Sequence, residues 1–282
     1  MNGRKFDVKK TALIVLVMAA LIAVIMLIVK FVNKRQETIH VESGVSYIES
    51  RESVPTETVK AEIQEQIHKR MMAQLQKKLK QIENDEISVW TLFDGVMVMG
   101  DSRASGFSVY GLLTENQVIA HNGDAIVSIL PELANIKAYD PSILVLAYGL
   151  NDVWNGSYEP EEFAEKYKEV IIQLKDQLPN TSIYISSIMK CTAPGIQRNA
   201  NAARIPEYNK ALKEMCEENG IVYIDNDAIA DEYEDLFYDD GVHQAKPFYE
   251  IWAKNIITTI YSEQAKEQEA KEYGELTDSE QN

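Results

Sequence analysis

Hydrophobic and polar positions change rhythm several times along this chain, and each change predicts an element. The uncharged apolar run over residues 11–29 is 19 residues long. As a helix rising 1.5 Å per residue it would reach about 29 Å, the thickness of a bilayer's hydrocarbon core. It predicts a transmembrane anchor over 11–32, preceded by a short N-terminal segment, 1–10. No small-x-small site follows Val29, so a retained anchor is expected rather than a cleaved secretory signal. Residues 33–58 are polar and acidic without a period and read as a linker. Over 59–84, Ile63, Ile67, Met71, Leu75, Leu79 and Ile82 recur every three or four residues, the spacing of an amphipathic helix. Such a stripe serves either as a stalk that pairs two copies of the chain into a homodimer or as a face packed on a globular domain.

From Trp90 the period switches. Apolar runs of strand length stand at 96–99, 117–120, 143–147, 183–188 and 221–224, with helical spacing at 104–113, 125–136, 160–177 and 206–219 and a last helix at 246–261. Pro160 suits a first helical turn, with Glu159, Glu161 and Glu162 around the positive end of the dipole. Gly220 stands where a left-handed residue ends a helix. Strands alternating with helices predict an α/β domain over 90–261, a five-stranded parallel sheet with helices on both faces. Ligands bind such sheets outside the carboxyl ends of the strands. Residues 262–282 are charged, Gln-rich and almost without apolar side chains, and are expected to form a disordered acidic tail.

Charge narrows the partners. The formal net charge is −16, and beyond Arg35 the chain carries 21 basic against 43 acidic residues. That balance excludes nucleic acid as a partner and docking on an anionic inner leaflet. Arg4, Lys5, Lys9 and Lys10 precede the apolar run, while Lys30, Lys34 and Arg35 follow it. Together these place the N-terminus inside and the domain outside a cell membrane crossed once. Cys191 and Cys216 fall at opposite ends of the predicted sheet, too far apart for a disulfide, and are expected to be unpaired and buried. Neither a clustered set of Cys and His nor a Walker-type glycine loop is present, so no metal and no cofactor are expected.

Polar residues at the strand ends supply candidate chemistry. Asp101 and Ser102 follow the first strand; His121, Asn122, Gly123 and Asp124 the second; Gly149, Asn151 and Asp152 the third; Asp239, Asp240 and His243 the fifth. Each pair alone also reads as a turn or a helix cap. Together they bring a hydroxyl, an imidazole, a carboxylate and amide donors to one edge of one sheet.

Gly100-Asp101-Ser102, Gly123-Asp124, Gly149-Leu150-Asn151-Asp152 and Asp240-Gly241-Val242-His243, in that order, resemble the SGNH (GDSL-type) hydrolase superfamily over roughly residues 93–261. The resemblance implies a three-layer α/β/α, flavodoxin-like sheet. It makes Ser102 the nucleophile, His243 the general base and Asp240 its partner, with the N–H groups of Ser102 and Gly123 and the Asn151 amide as the oxyanion hole. His40, His68 and His121 compete as bases. Two features depart from the family pattern: Arg103, a candidate contact for an anionic part of the substrate, and 244–249, which lacks a glycine often found there. His121, Tyr148, Trp154 and Asn155 are candidate substrate contacts by position. The loop 192–204 is long for a strand-to-helix connection on the ligand edge. The expected function is a membrane-anchored serine esterase acting outside the cytoplasm on an acylated, carbohydrate-linked envelope substrate. An O-acyltransferase with the same site, or a catalytically idle domain binding a glycan or protein, are the alternatives.

Overall fold

The computed structural model describes residues 56–279 together with Met26, Leu27, Lys30 and Lys34. The expected membrane span therefore lies outside the described residues except for three positions, as do His40 and nearly all of the linker. Among the described residues no helix is long and apolar enough to cross a membrane. The chain divides into two compact units, Met1–Gln66 and Ile67–Asn282.

The second unit is built on five parallel strands, β1 (Val96–Gly100), β2 (Val118–Ala120), β3 (Ile143–Ala147), β4 (Ser182–Ser186) and β5 (Val222–Ile224). Their order is β2-β1-β3-β4-β5. Every residue of β1 and β3 is buried, as expected of strands covered on both faces. Alternate side chains serve opposite layers: Met97, Met99, Leu144 and Leu146 face one core, and Val96, Val98, Ile143 and Val145 the other.

The helices are α1 (Thr56–Glu83), α2 (Gly106–Val109), α3 (Leu133–Tyr139), α4 (Leu150–Asn155), α5 (Pro160–Gln177), α6 (Ala193–Arg198), α7 (Ile205–Glu218), α8 (Asp227–Glu232) and α9 (Lys246–Ser279). Helices α5 and α7 cover the first layer through Phe163, Tyr167, Ile171, Leu174, Tyr208 and Leu212. Helix α9 covers the second through Phe248, Trp252, Ile256 and Ile260, joined by Phe93 and Phe107. Each of these large apolar side chains, once fully buried, contributes about 1.5–3 kcal/mol. Cys191 and Cys216 are buried and unpaired.

Three expectations need correction. The run expected to be helical at 104–113 is mostly turns, with a four-residue helix. Gly106 and Gly111 interrupt it, and glycine weakens helices. The run at 125–136 breaks into two 3₁₀ turns before α3, with Pro131 in the second. Residues 262–279, expected to be disordered, continue α9 as helix. A partner helix supplies what their composition lacks: His68 on α1 bonds Glu269 at 2.9 Å, Arg70 pairs with Glu272, and the Lys78 ammonium sits 3.7 Å from the centre of the Tyr261 ring. Finally, of the two uses open to the α1 stripe, packing within the chain is seen, with Ile67, Met71 and Ile82 buried.

Candidate active site

Strand order reverses direction at β1, and at such a switch point the loops leaving neighbouring strands separate to open a crevice. Ser102 sits there. Gly100 at the end of β1 is required by close approach: a Cβ would lie 2.6 Å from the Ala104 Cβ and 2.7 Å from the Ala147 carbonyl oxygen of β3. The chain then turns, with the Ser105 N–H donating to the Asp101 carbonyl and the Ser105 hydroxyl to the Ser102 carbonyl at 2.6 Å.

The structure brings the three residues expected to act together into one line. The Ser102 Oγ lies 2.9 Å from His243 Nε2, and His243 Nδ1 lies 2.6 Å from Asp240 Oδ2. A carboxylate only accepts, so Nδ1 donates to Asp240 and Nε2 is left to accept the Ser102 hydroxyl proton. The other Asp240 oxygen accepts the backbone N–H groups of Val242 at 2.9 Å and His243 at 3.0 Å. Partial burial alone would push the Asp240 carboxyl up, but these bonds, from the His243 ring first, outweigh it and hold its pKa below the ordinary carboxylate range.

The loop bearing Asp240 and His243 is fixed by backbone contact. Gly241 has φ +69°, its carbonyl accepts the Thr192 N–H at 2.9 Å, and a Cβ on it would meet Thr192 Oγ1 at 2.7 Å. Gly195 of α6 packs so closely that its own Cβ would fall 2.5 Å from the Gly241 carbonyl oxygen. The long 192–204 connection is thus structured, as α6 followed by a 3₁₀ turn, and it buttresses the histidine loop.

Of the expected oxyanion donors, the N–H groups of Ser102 and Gly123 have no acceptor among the described residues. The half-buried Asn151 amide donates one N–H to the Asp124 carbonyl at 2.7 Å, tying the second block to the third and keeping a second N–H. Beside it, Asp152 is buried and accepts the Ile126 N–H at 3.2 Å. Burial, reinforced by the Asp101 charge, pushes its carboxyl up to about 6.

Several expected substrate contacts lie elsewhere. Arg103 does not face a ligand: it is 3% exposed, its Nη2 and Nε reach Asp101 at 3.1 and 3.3 Å, and its Nη1 donates to the Met189 carbonyl at 2.8 Å. A guanidinium beside a buried carboxylate turns inward because nothing else would neutralise that charge. Tyr148 is fully buried, so it offers no face to a sugar. Trp154 is half-buried against the core and Asn155 is exposed; neither lines the Ser102 cavity. His121 bonds Asp124 Oδ2 at 3.0 Å and lines a separate cavity. His68 pairs with Glu269 on the strut of α1 and α9, away from Ser102.

Asn122 was among the strand-end candidates, but Val109, Tyr110 and Tyr238 escaped the sequence reading. The open cavity at Ser102, about 310 Å³, is lined also by Val109, Tyr110, Asn122 and Tyr238. The Tyr110 and Tyr238 hydroxyls meet at 2.8 Å, and that bond, then burial, pushes the Tyr110 phenol up to about 12. Val109 and Tyr238 are exposed, and an exposed large apolar or aromatic residue on a cavity rim was the available signal, invisible without the fold.

A hydroxyl, an imidazole and a carboxylate stand in hydrogen-bonded sequence at the switch point of a parallel sheet, an order in which the imidazole can accept the hydroxyl proton. The chain belongs to the GDSL-like lipase/acylhydrolase family, whose sequence model matches residues 95–251. It is 26% identical over 172 residues to a multidomain esterase of Ruminococcus flavefaciens. That match covers 60% of this chain and 22% of the relative, so the chain spans about a fifth of that relative's length. Among solved structures it is similar to the lipase/acylhydrolase from Enterococcus faecalis, at 20% identity and a TM-score of 0.48, covering 59% of this chain and 95% of that one. It is also similar to a catalytic mutant of an acetylxylan esterase from Geobacillus stearothermophilus, at 14% identity and a TM-score of 0.46, covering 58% and 93%.

Proposed function

We propose that this protein is a serine esterase that removes short acyl groups from carbohydrate through an acyl-Ser102 intermediate, outside the cytoplasm. The observation that carries the reading is the unbroken line from Ser102 Oγ through His243 to Asp240, at 2.9 and 2.6 Å. In the reaction Ser102 Oγ attacks the ester carbonyl while His243 Nε2 takes its proton. The tetrahedral oxyanion is met by the N–H groups of Ser102 and Gly123 and by the Asn151 amide. Asp240 fixes the imidazole tautomer and stabilises the imidazolium. His243 then returns the proton to the leaving alcohol, and a water activated by the same imidazole releases the acid.

Cavity shape supports a short acyl group on a large alcohol. The space beside Ser102 is small and open, and the half-exposed Tyr238 stands among its lining residues, an aromatic side chain of the kind that packs on the apolar face of a sugar. The acidic domain and the apolar 11–32 segment support an envelope location. An open rim admits a sugar hydroxyl as readily as water, which favours O-acyl transfer as the second reading over an idle binding domain.

The test is turnover of a small chromogenic acetate. Ser102→Ala should lower kcat/KM by about 10⁴-fold or more with the circular dichroism spectrum unchanged, and a fluorophosphonate should label the wild type but not this variant. Retained turnover in Ser102→Ala overturns the reading. Adding a glycan acceptor and following free acetate against acetylated product separates hydrolysis from transfer.

A further inference from the structure

A second cavity of the domain is larger than the one at Ser102. It measures about 520 Å³, within the range of ligand sites, and lies where edge strand β2 meets α3. Met97 and Val118 form part of its floor, and Glu115, His121, Glu132 and Asn135 stand among its walls. Among the described residues no lysine or arginine lines it. The Asn135 amide donates to Glu132 Oε2 at 2.6 Å, which leaves its carbonyl oxygen and one N–H to face a ligand, and Glu132 keeps its second oxygen. Carboxylates and an amide over an apolar floor hydrogen-bond hydroxyl groups while the floor takes the C–H faces between them. Two carboxylates with no cation repel an anionic ligand.

A single turn joins this cavity to the catalytic one. His121 lines the larger cavity, and Asn122, the next residue, lines the cavity at Ser102. Consecutive Cα atoms are only about 3.8 Å apart, so a ligand held in both crosses one residue of backbone. His121 is fixed at that crossing because Asp124 Oδ2 holds both its ring and its backbone N–H.

We propose that the larger cavity binds the continuing chain of an uncharged polysaccharide whose acylated unit sits at Ser102. The substrate is then a neutral polymer, not a free acylated sugar or a uronate-rich chain. This rests on the esterase reading and adds where the rest of the substrate lies.

The test compares the full-length protein with Glu132→Ala and Asn135→Ala, on a small chromogenic acetate, on acetylated neutral oligosaccharides of increasing length and on an acetylated uronate polymer. In the wild type KM should fall with oligosaccharide length, and the uronate polymer should be the poorer substrate. On the long neutral chain each variant should raise KM roughly tenfold, as expected for losing a hydrogen bond to a charged or amide group, with kcat and small-acetate turnover unchanged. Equal KM for wild type and variants on the long chain, or no dependence on length, overturns the proposal. If the wild type does not turn over the small acetate, the esterase reading fails separately. Calorimetric titration with unacetylated neutral oligosaccharide then decides the cavity: heat in the wild type that is lost in Glu132→Ala supports it, and no heat in the wild type overturns it.

Discussion

Ser102 and His243 meet at one hydrogen bond but are held in opposite ways. On the serine side the frame is buried and ionic: Asp101 and Arg103 are 0% and 3% exposed, and Arg103 crosses to the Met189 carbonyl beyond β4. On the histidine side the groups are half-exposed and the loop is held by backbone: Gly195 against Gly241, Thr192 N–H to the Gly241 carbonyl, and two backbone N–H groups on one Asp240 oxygen. Carboxylates record the contrast. Burial pushes Asp152 up to about 6, whereas hydrogen bonds hold Asp240 below its ordinary range. Buried charge is concentrated on the Ser102 side, and backbone contact on the His243 side.

The comparison breaks most visibly at Arg103. Arg103→Met leaves Asp101 buried without a counter-charge, a loss of about 3–5 kcal/mol, read as a drop of roughly 10 °C in melting temperature. Replacing both partners with apolar residues should recover most of that loss. A single variant that melts like the wild type would remove the distinction between the two sides. On the histidine side, Gly241→Ala puts a Cβ at φ +69° and against Thr192, displacing His243. Turnover of a small acetate should fall about 10²-fold, the cost of misplacing a reacting group by roughly 1 Å, with a smaller loss of melting temperature than at Arg103.

Asp152 sharpens the same contrast through pH. Its folded-state pKa lies above the unfolded value, so between about pH 4 and 6 the folded state binds the extra proton and stability falls as pH rises. Asp152→Asn should flatten that part of a stability-against-pH curve, by roughly 1–3 kcal/mol between its ends. A wild-type curve already flat there would contradict the burial argument. The smallest effect is at Arg198, whose Nη1 is 3.9 Å from Asp240 Oδ2 but whose side chain is largely exposed. Screened pairs of this kind are worth about 0.2–1 kcal/mol. Arg198→Ala should therefore cost at most about fivefold in kcat/KM, and high salt should reproduce the loss in the wild type.

Elements with their own punctuation were legible in the sequence. β3 falls at Ile143–Ala147 and α5 at Pro160–Gln177, as spacing, Pro160 and the acidic first turn predict. Elements that depend on a distant partner were not: 262–279 has too few apolar residues to fold alone and becomes helical beside α1. The same division holds in the site. Ser102, Asp240 and His243, named from the order of motifs at strand ends, stand within hydrogen-bond reach of one another. The inward turn of Arg103, the burial of Tyr148 and the rim made by Val109 and Tyr238 follow from side-chain direction and from contacts far apart in sequence.

The pairing of α1 with α9 carries a mechanical consequence. The helices run antiparallel: Asp85 meets Lys254 at 2.8 Å, Lys78 meets Tyr261, and His68 meets Glu269. The chain therefore leaves this strut in both directions from the same end. Its exposed pairs are worth only about 0.2–1 kcal/mol each, so the buried Ile67, Met71 and Ile82 resist parting of the two helices more than the ion pairs do.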